Sequence, residues 1–450
     1  MKKAILIFIL AINLTVFAQE HFSGVNMSKR VGILNGTINP AEFSNLSSRI
    51  EVGLFATSFN ASNNKVGFSD LVNSSNITDL IFTGTDPVNM RIDAEIQGPG
   101  VALKIKKWGF SIYSKAAAKL NLVGVDPNIG AAINNGLVSN PLGFTNLNTT
   151  SNQRLLGTTW GEINFSVART VFENEKNKWN VGATIKMLFP GSYTNFGANT
   201  LQGTIANYPD GAYLNNANAT INIAYSGNLA NNFNTVSDYT QSLYGSLNGT
   251  AADFGINYQR KNSNGYKLNL GAAVRNIGAM TFKGTGNSST NYDLNINETS
   301  PLNNGLNLNS FQNATNLQEV ETILLNSGYL NKTQRDNSSI KVKLPTVFNA
   351  YADIKVASKF YVSIYGQKKL GSDNNNDQIT TQDCFSVTPR IAFKSFELYS
   401  SWATNEISGV TGGLGYRIYG FYMGSSSIFT AFTSDTKQAD FYFGYRFGIL

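Results

Sequence analysis

Few residues in this sequence could carry catalytic or metal chemistry. His21 is the only histidine and Cys384 the only cysteine among 450 residues. A Ser-His-Asp hydrolase needs a histidine held by secondary structure, and His21 lies close to the N-terminus, where we expect a disordered setting. One histidine and one cysteine also exclude a disulfide framework and a His/Cys zinc site. We therefore predict that the protein is not an enzyme and that it binds no metal or cofactor.

One acidic stretch, Asp373-Asn-Asn-Asn-Asp377, partly matches the start of a calcium-binding loop. It lacks the glycine at the sixth position and the distal glutamate that complete such a loop. We interpret it as a solvated extracellular loop. Cys384, which begins the following segment, is interpreted as a buried and inert thiol.

Charged residues inside alternating segments are the next candidates, because the charges fall on one face of each predicted strand. If that face lines a lumen, the basic side chains either form a wall that attracts anions or pair with acidic ones and fill a closed lumen. We favour pairing, and both alternatives stay open. The candidates are Lys186, Arg275, Arg390, Arg417, Arg446, Asp253, Asp353 and Asp440.

The elements that must hold these charges are long strands with a period of two residues. From Trp179 to Phe189, apolar residues occupy every second position, with Asn180, Thr184 and Lys186 between them. Several such segments exceed ten residues, whereas strands of soluble proteins cluster at about five or six. A tilted strand needs about nine to eleven residues to cross a membrane. The lengths therefore favour a transmembrane barrel over a soluble sandwich.

Connection lengths sharpen the predicted fold class. Short connections such as 173–177 and 261–265 alternate with long ones such as 123–157 and 285–344. Bacterial outer-membrane barrels have short periplasmic turns, long extracellular loops and an even number of strands. We therefore predict an all-β protein, a transmembrane antiparallel up-and-down β-barrel of about 14 strands. The strands are expected near residues 49–59, 90–107, 109–122, 158–172, 178–195, 251–261, 266–284, 345–356, 359–370, 384–394, 395–404, 409–419, 421–430 and 438–450.

Two features depart from this simple pattern. Gly98-Pro99-Gly100 lies within the second strand, as either a bulge that keeps the strand count even or a hairpin turn that reverses the topology. We favour the bulge. Residues 126–137 and 315–328 are predicted as short loop helices, the second opened by Thr315 and Gln318 in capping-box spacing.

The N-terminus predicts export from the cytoplasm. Lys2 and Lys3 precede an apolar run that ends in a small-residue cleavage site at Ala18, so residues 1–18 are predicted to be a signal peptide. No later apolar run reaches the roughly 20 residues that a spanning helix needs. The net charge is +7, but basic residues stand singly, so nucleic acid is not an expected partner. We predict localisation in the outer membrane of a Gram-negative bacterium, with its lipid as a partner.

Ten stretches spread in order over most of the chain carry a resemblance: 38–41, 95–100, 160–163, 167–169, 182–188, 274–278, 344–346, 388–390, 413–417 and 421–425. They resemble a large Bacteroidota outer-membrane barrel family of unknown function. Some of its members are OmpA-like, with a peptidoglycan-binding module after the barrel, and we expect no such module here. The resemblance assigns no activity. The strand pattern predicts that residues 49–450 form the barrel.

Asn39-Pro40-Ala41 is similar to the N-terminal signature of FadL-like transporters of hydrophobic molecules. That resemblance implies that residues 19–48 form a plug-like segment tucked into the barrel. It also implies that a strand kink, here Gly98-Pro99-Gly100, serves as a lateral exit. A turn before the first strand is the plainer interpretation of Asn39-Pro40.

Two functions follow as hypotheses. The first is a channel or transporter for small hydrophobic molecules, motivated by the Asn-Pro-Ala segment, the strand kink and a barrel wide enough to leave a lumen. The second is a structural or accessory barrel in an envelope assembly, motivated by the long loops. The predicted partners are accordingly a hydrophobic ligand or an envelope protein. Residues 444–447 and Ile449 also resemble the signal that the barrel assembly machinery reads, which implies that machinery as a partner during biogenesis.

Overall fold

A computed structural model describes residues 21–73, 76–135, 143–231, 235–240, 242–263, 265–284, 286–297, 305–336 and 339–449. The predicted signal peptide, residues 1–18, and the first two residues of the predicted plug-like segment lie outside these ranges.

Antiparallel strands dominate the described part of the chain, and they belong to one sheet. They are β1 (Ile50–Asn63), β2 (Val88–Ile105), β3 (Trp108–Val125), β4 (Phe144–Asn148), β5 (Gln153–Glu173), β6 (Asn177–Tyr208), β7 (Gly211–Ser226), β8 (Gly249–Asn262), β9 (Gly265–Phe282), β10 (Ser288–Ile296), β11 (Leu306–Asn307), β12 (Leu330–Asp336), β13 (Ile340–Lys343), β14 (Val347–Lys355), β15 (Phe360–Lys369), β16 (Cys384–Ala392), β17 (Phe396–Asn405), β18 (Gly409–Ile418), β19 (Phe421–Ser425) and β20 (Gln438–Ile449).

Within the described residues, fourteen of these strands close into a barrel: β1 to β3, β5, β6, β8, β9 and β14 to β20. Each pairs antiparallel with the next. The ring closes between β1 and β20, from Ile50 opposite Ile449 to Ser62 opposite Gln438. The predicted fold class, a transmembrane antiparallel barrel of about 14 strands, is confirmed.

The period of two gives the wall its two faces. In β6, Val181 and Ile185 point outward and are 41% and 61% exposed, whereas Asn180 and Lys186 point inward and are buried. An apolar exterior around a polar interior is the arrangement of a barrel in a bilayer. Other exposed apolar residues of the wall are Phe110, Ile112, Phe165, Val167, Phe254, Ile256, Phe441 and Phe447.

The predicted alternation of connection lengths is also present. Residues 106–107 and 419–420 make tight turns at one end, and 64–87 and 126–152 make long connections at the other. Ile50 and Ile449 lie at the tight-turn end, which is the periplasmic end of such barrels.

Two predicted strand ends are wrong. Strand β6 continues to Tyr208 rather than ending near 195, because β7 pairs with its outer half and carries the sheet beyond the barrel. Strand β19 ends at Ser425, and the helix Ile428–Thr433 follows it. The carboxylate of Asp440 accepts from the amide of Ser426 at 2.8 Å, which turns the chain out of the strand.

The stretch Gly98-Pro99-Gly100 lies inside the continuous strand β2. Pairing with β3 shifts between Gln97 and Gly100, so that Gly98 and Pro99 together face Ser114. Two residues opposite one make a β-bulge. The chain therefore has a bulge at this point, and the hairpin turn does not form.

Short helices decorate the loops and the N-terminal segment. The second predicted loop helix begins at Leu317 rather than at Thr315. The side chain of Asn316 caps it by accepting a hydrogen bond from the amide of Glu319. No helix in the described ranges is long and apolar enough to cross a bilayer. The α-helices are Ile33–Gly36, Phe68–Asn73, Ile77–Ile81, Pro127–Asn135, Val236–Thr240, Leu317–Asn326 and Ile428–Thr433, and the 3₁₀ helices are Val25–Met27, Lys29–Val31, Pro40–Asn45, Asn228–Ala230 and Leu308–Phe311.

Candidate functional site

Residues 21–48, called the plug segment from here on, lie in the periplasmic half of the lumen. Asn39 is fully buried, and its Nδ2 donates to the carbonyl of Ile256 on β8 at 2.8 Å and to the hydroxyl of Tyr351 on β14 at 3.2 Å. On the far side of the ring, the hydroxyl of Tyr442 on β20 donates to the carbonyl of Ser23 at 2.8 Å. Contacts with strands all round the barrel place the segment inside it.

The Asn39-Pro40-Ala41 stretch forms the start of a 3₁₀ helix inside the lumen. Oδ1 of Asn39 caps that helix by accepting from the amide of Ala41 at 3.0 Å. The barrel wall has glycine at the two positions that this stretch contacts, Gly182 and Gly255, where a Cβ atom would collide with it. The stretch is thus seated against the wall of the lumen, well before the first strand.

Replacing Gly182 with alanine is expected to unseat the plug segment. The added Cβ would lie 2.5 Å from the backbone nitrogen of Ala41 and 2.5 Å from the carbonyl carbon of Pro40, and overpacking of this kind costs about 1–3 kcal/mol. Limited trypsin digestion of the purified barrel would then cut the plug segment faster. Gly366→Ala is the matched control, since its Cβ meets atoms only at 3.8 Å and beyond. Equal resistance of both variants would contradict this expectation.

Glu42 anchors the plug segment, and sequence reasoning missed it. Its carboxylate is 2% exposed and accepts from Nδ2 of Asn257 and Nδ2 of Asn269, both at 2.8 Å, and from the hydroxyl of Tyr351. The available signal was its place directly after Asn-Pro-Ala. An acidic residue in a segment predicted to enter a polar lumen needs donors there.

Four of the five predicted basic residues form ion pairs inside the barrel. Two pairs join predicted candidates: Nζ of Lys186 lies 3.0 Å from Oδ2 of Asp253, and Nη2 of Arg390 lies 2.7 Å from Oδ2 of Asp353. The other two use carboxylates that sequence reasoning missed. Arg417 lies 3.4 Å from Glu397, and Arg446 lies 2.7 Å from Glu51.

The remaining two candidates are held by neutral groups. Arg275 donates from Nε to Oδ1 of Asn349 at 2.9 Å and from Nη2 to Oε1 of Gln367 at 2.7 Å. Asp440 accepts from the amide of Ser426 and from the hydroxyl of Ser427. The arrangement is one of local pairing inside the lumen, as a filled interior requires.

A small polar cavity of about 90 Å³ lies above the plug segment. On its wall, Nζ of Lys115 lies 3.2 Å from Glu95 and 3.7 Å from Glu162, and Trp160 donates to Glu162 at 2.8 Å. His21 also lines the cavity, and its Nδ1 lies 3.0 Å from the hydroxyl of Ser58. The expected disordered setting of His21 is therefore wrong, because the plug segment carries it into the lumen.

Residues 370–383, the mouth loop from here on, fold into the extracellular mouth of the barrel. Their second half, 378–383, is at most 5% exposed. The carboxylate of Asp373 forms ion pairs with Arg91 at 2.9 Å and with Lys369 at 2.6 Å. Within the stretch 373–377, which is expected to be a solvated loop, residues 374, 375 and 377 are exposed. The buried residues 378–383 follow that stretch, and polar groups of the wall supply their partners. No cluster of three His, Cys, Asp or Glu residues suited to a metal occurs in the described part of the chain.

An apolar chamber of about 430 Å³ lies against the outer face of β5 and β6, where Leu155 pairs with Phe196. Arg154 and Asn195, which face the mouth loop, point to the other side of these strands. The β6–β7 extension, β10 and the helices Pro127–Asn135 and Leu317–Asn326 enclose the chamber. This volume is within the range of small-molecule binding sites, which are mostly apolar with a few polar groups. The lining includes Leu122, Ile129, Ile133, Arg154, Leu155, Phe196, Leu201, Leu214, Ile221, Leu294, Leu308, Phe311, Leu317, Val320 and Leu324.

Two phenols fasten the helix Leu317–Asn326 over the chamber. The hydroxyls of Tyr225 on β7 and Tyr292 on β10 both donate to the carboxylate of Glu321. Burial, with a further contribution from Glu321, raises the pKa of Tyr225 to about 12. Its phenol therefore stays a hydrogen-bond donor over the whole physiological pH range.

The β2 bulge lies in the wall beside the small polar cavity. Glu95 on β2 and Lys115 on β3 line that cavity from inside. On the outer face of the same strands, Pro99 is exposed, and the hydroxyl of Tyr244 donates to the carbonyl of Lys115 at 2.8 Å. The bulge thus marks an irregular place in the wall at the level of the cavity.

A family model, "Family of unknown function (DUF5723)", matches residues 40–426. No curated protein sequence matches this chain. Among solved structures, a Pseudomonas aeruginosa FadL homologue is similar at 9% identity over 96% of this chain and 98% of that one, with a TM-score of 0.45. The P. putida toluene transporter TodX is similar at 7% identity over 92% of this chain and 93% of that one, with a TM-score of 0.41. At these values the structural likeness carries no argument about function.

Proposed function

This chain belongs to the family of unknown function whose model covers residues 40–426, and we propose that it is an outer-membrane channel for small hydrophobic molecules. The observation that carries the proposal is the apolar chamber of about 430 Å³ at the extracellular end of a transmembrane barrel. Water leaves such a chamber readily when an apolar solute enters, because burying apolar surface is favourable.

We propose that a hydrophobic molecule binds first in the chamber, and that the polar cavity above the plug segment is a later and transient stop. The cavity is too small and too polar to store such a molecule, so we propose that it leaves sideways at the β2 bulge, beside Gly98 and Pro99. Release into the bilayer spares an apolar molecule a passage through water.

Several further proposals accompany this function. The protein resides in the outer membrane of a Gram-negative bacterium, with lipid around its apolar exterior, and a Bacteroidota source fits its motifs. It is not an enzyme, and the barrel assembly machinery inserts it through the signal at residues 444–447. A heat-modifiable band in the outer-membrane fraction, lost when that signal is replaced, would support this placement.

The Val320→Glu variant is expected to lower uptake of naphthalene at least about tenfold, because a carboxylate in the chamber keeps water there. Val320 lines the chamber. Uptake of labelled naphthalene by cells that express each variant as their sole hydrocarbon channel would measure this. Leu325→Glu is the matched control, since Leu325 lies on the same helix and is 47% exposed. Equal uptake by both variants would instead favour an accessory role in an envelope assembly.

A further inference from the structure

Exposed basic residues surround the periplasmic end of the barrel. In the described part of the chain, they stand at or beside five of the six tight turns and directly before β1. The sixth turn, between β18 and β19, has an exposed Tyr419 instead. These nine residues, called the basic collar from here on, are Arg49, Lys106, Lys107, Arg169, Lys176, Arg260, Lys267, Lys359 and Lys394.

Acidic residues do not balance the basic collar. Among the described residues at this end of the barrel, the exposed carboxylates are those of Glu173 and Glu175, and Glu173 already pairs with Lys261 at 2.8 Å. Glu51 and Glu397 lie near the same turns, but both are buried in the lumen and form ion pairs there. The collar therefore has a surplus of positive charge that no neighbouring carboxylate neutralises.

The extracellular end has no such surplus. Exposed acids such as Asp86, Asp210 and Asp435 lie there among exposed bases such as Lys283 and Lys332. The positive surplus of the exterior therefore lies at the periplasmic end, and the two ends of the barrel offer different surfaces to charged molecules.

The basic collar adjoins aromatic side chains on the outside of the wall. The guanidinium carbon of Arg169 lies 4.9 Å from the ring centre of Trp108, and Nζ of Lys359 lies 4.5 Å from that of Phe393. Both aromatic rings face outward and are 40% and 41% exposed. Aromatic residues on the exterior of a barrel mark the boundary between hydrocarbon and lipid headgroups. A cation over an aromatic face is held there, so the collar lies at the level of the headgroups.

We propose that the basic collar binds the phosphates of anionic phospholipids in the leaflet that faces the periplasm. Arginine and lysine both bind phosphate oxygens through charge-assisted hydrogen bonds. A soluble anionic protein would meet the charges alone, whereas a phospholipid also places its acyl chains on the apolar wall beside them. The inference does not depend on which molecule the channel carries.

Quenching of tryptophan fluorescence by brominated lipids tests the collar, because the wall offers a reporter at each end. Trp108 contacts Arg169 of the collar, and Trp402 lies at the extracellular end with its ring 6.4 Å from that of Phe429. Trp179→Phe combined with Trp402→Phe leaves Trp108 as the lipid-facing reporter, and Trp179→Phe combined with Trp108→Phe leaves Trp402. Trp160 stays in both, since it is buried in the lumen.

Each reporter protein is placed in vesicles of phosphatidylcholine that contain brominated phosphatidylglycerol or, in parallel, brominated phosphatidylcholine. Both leaflets have the same composition, so the orientation of the barrel does not matter. We expect Trp108 to favour phosphatidylglycerol about fivefold and Trp402 to show no preference. Sodium chloride at about 1 M should abolish the preference, because it shortens the screening length to about 3 Å. Equal quenching of Trp108 by the two lipids would overturn the proposal and leave a soluble anionic partner for the collar.

Neutral substitutions within the collar assign the preference to its residues. In the Trp108 reporter, the combination of Lys106→Gln, Lys107→Gln and Arg169→Gln is expected to remove the preference for phosphatidylglycerol. The variant should still migrate as a folded barrel in an unheated gel, since the three side chains are exposed. A preference that survives in this folded variant would overturn the assignment to the collar.

The matched control removes the same number of charges from the other end of the barrel. Lys283→Gln, Lys332→Gln and Lys341→Gln change three exposed extracellular lysines, and the Trp108 reporter should keep its full preference. Loss of the preference in this control as well would show that the net charge of the protein attracts the lipid. That result would also overturn the collar.

Discussion

The Glu42→Ala variant is expected to lose the plug segment from the lumen. The carboxylate of Glu42 is the shared acceptor for Asn257, Asn269 and Tyr351, and its second oxygen accepts from Nδ2 of Asn45 at 2.8 Å. Asn257 and Asn45 keep the carbonyl of Leu270 and Oδ1 of Asn257 as acceptors, so the loss falls mainly on Asn269 and Tyr351. Each buried donor left without an acceptor costs about 1–3 kcal/mol. The plug segment therefore loses its central anchor, while the strand ladder of the wall does not depend on Glu42.

Trypsin would measure the release, because Lys29 and Arg30 lie in the plug segment. We expect rapid cleavage there in Glu42→Ala, with the barrel still migrating as a folded species in an unheated gel. Glu42→Gln is the control: it keeps one acceptor oxygen but turns an NH₂ group toward existing donors, so cleavage should be intermediate. A Glu42→Ala protein as resistant as the wild type would refute this role.

The Asp353→Ala variant is expected to lower the free energy of unfolding by about 3–5 kcal/mol. Asp353 and Arg390 are 1% and 3% exposed and lie 2.7 Å apart. Asp353 also accepts from the hydroxyl of Ser363 at 2.7 Å and from that of Tyr266. Its removal leaves a buried guanidinium without its closest carboxylate and two hydroxyls without an acceptor.

Urea unfolding of the barrel in lipid would measure this loss. Glu173→Ala is the matched control, because the Glu173–Lys261 pair lies at a turn with side chains 33% and 32% exposed. Such exposed pairs contribute at most about 1 kcal/mol. A similar decrease in the free energy of unfolding in both variants would show that burial does not make the Asp353–Arg390 pair more important for stability than an exposed pair. Asp353→Leu combined with Arg390→Met should recover much of the stability, since the unpaired charge is then gone.

Strand register decides which carboxylate forms an ion pair with each basic residue in the lumen. The alternation predicts Arg417 and Arg446 on the inner face of their strands, and the structure pairs them with Glu397 and Glu51. Their partners Glu397 and Glu51 escaped sequence reasoning, although Glu397 stands directly opposite Arg417 between β17 and β18. Register is set by turn geometry and by the whole ladder, so one strand read alone does not reveal its neighbour's side chains.

The burial of the second half of the mouth loop could not be predicted from the composition of the loop. Its composition, rich in Asn and Asp, is typical of a solvated loop, and 374–375 are indeed exposed. Its second half is buried because Arg154 and the carbonyl of Leu344 offer partners to the backbone and the side chain of Gln378. Arg154 is 224 positions away from Gln378 in sequence, so composition could not predict the burial.

The sequence alone determined the wall of this protein, its strand count, the faces of each strand and the alternation of turns and loops. These properties depend on neighbouring residues, since the period of two and the turn signals are local. Only the tertiary structure decided that Glu42 anchors the plug segment, that the mouth loop enters the barrel and that an apolar chamber forms against the outer face of β5 and β6. These contacts join residues such as Glu42 and Asn269, 227 positions apart, or Arg91 and Asp373, 282 apart. Only closure of the ring brings such residues together.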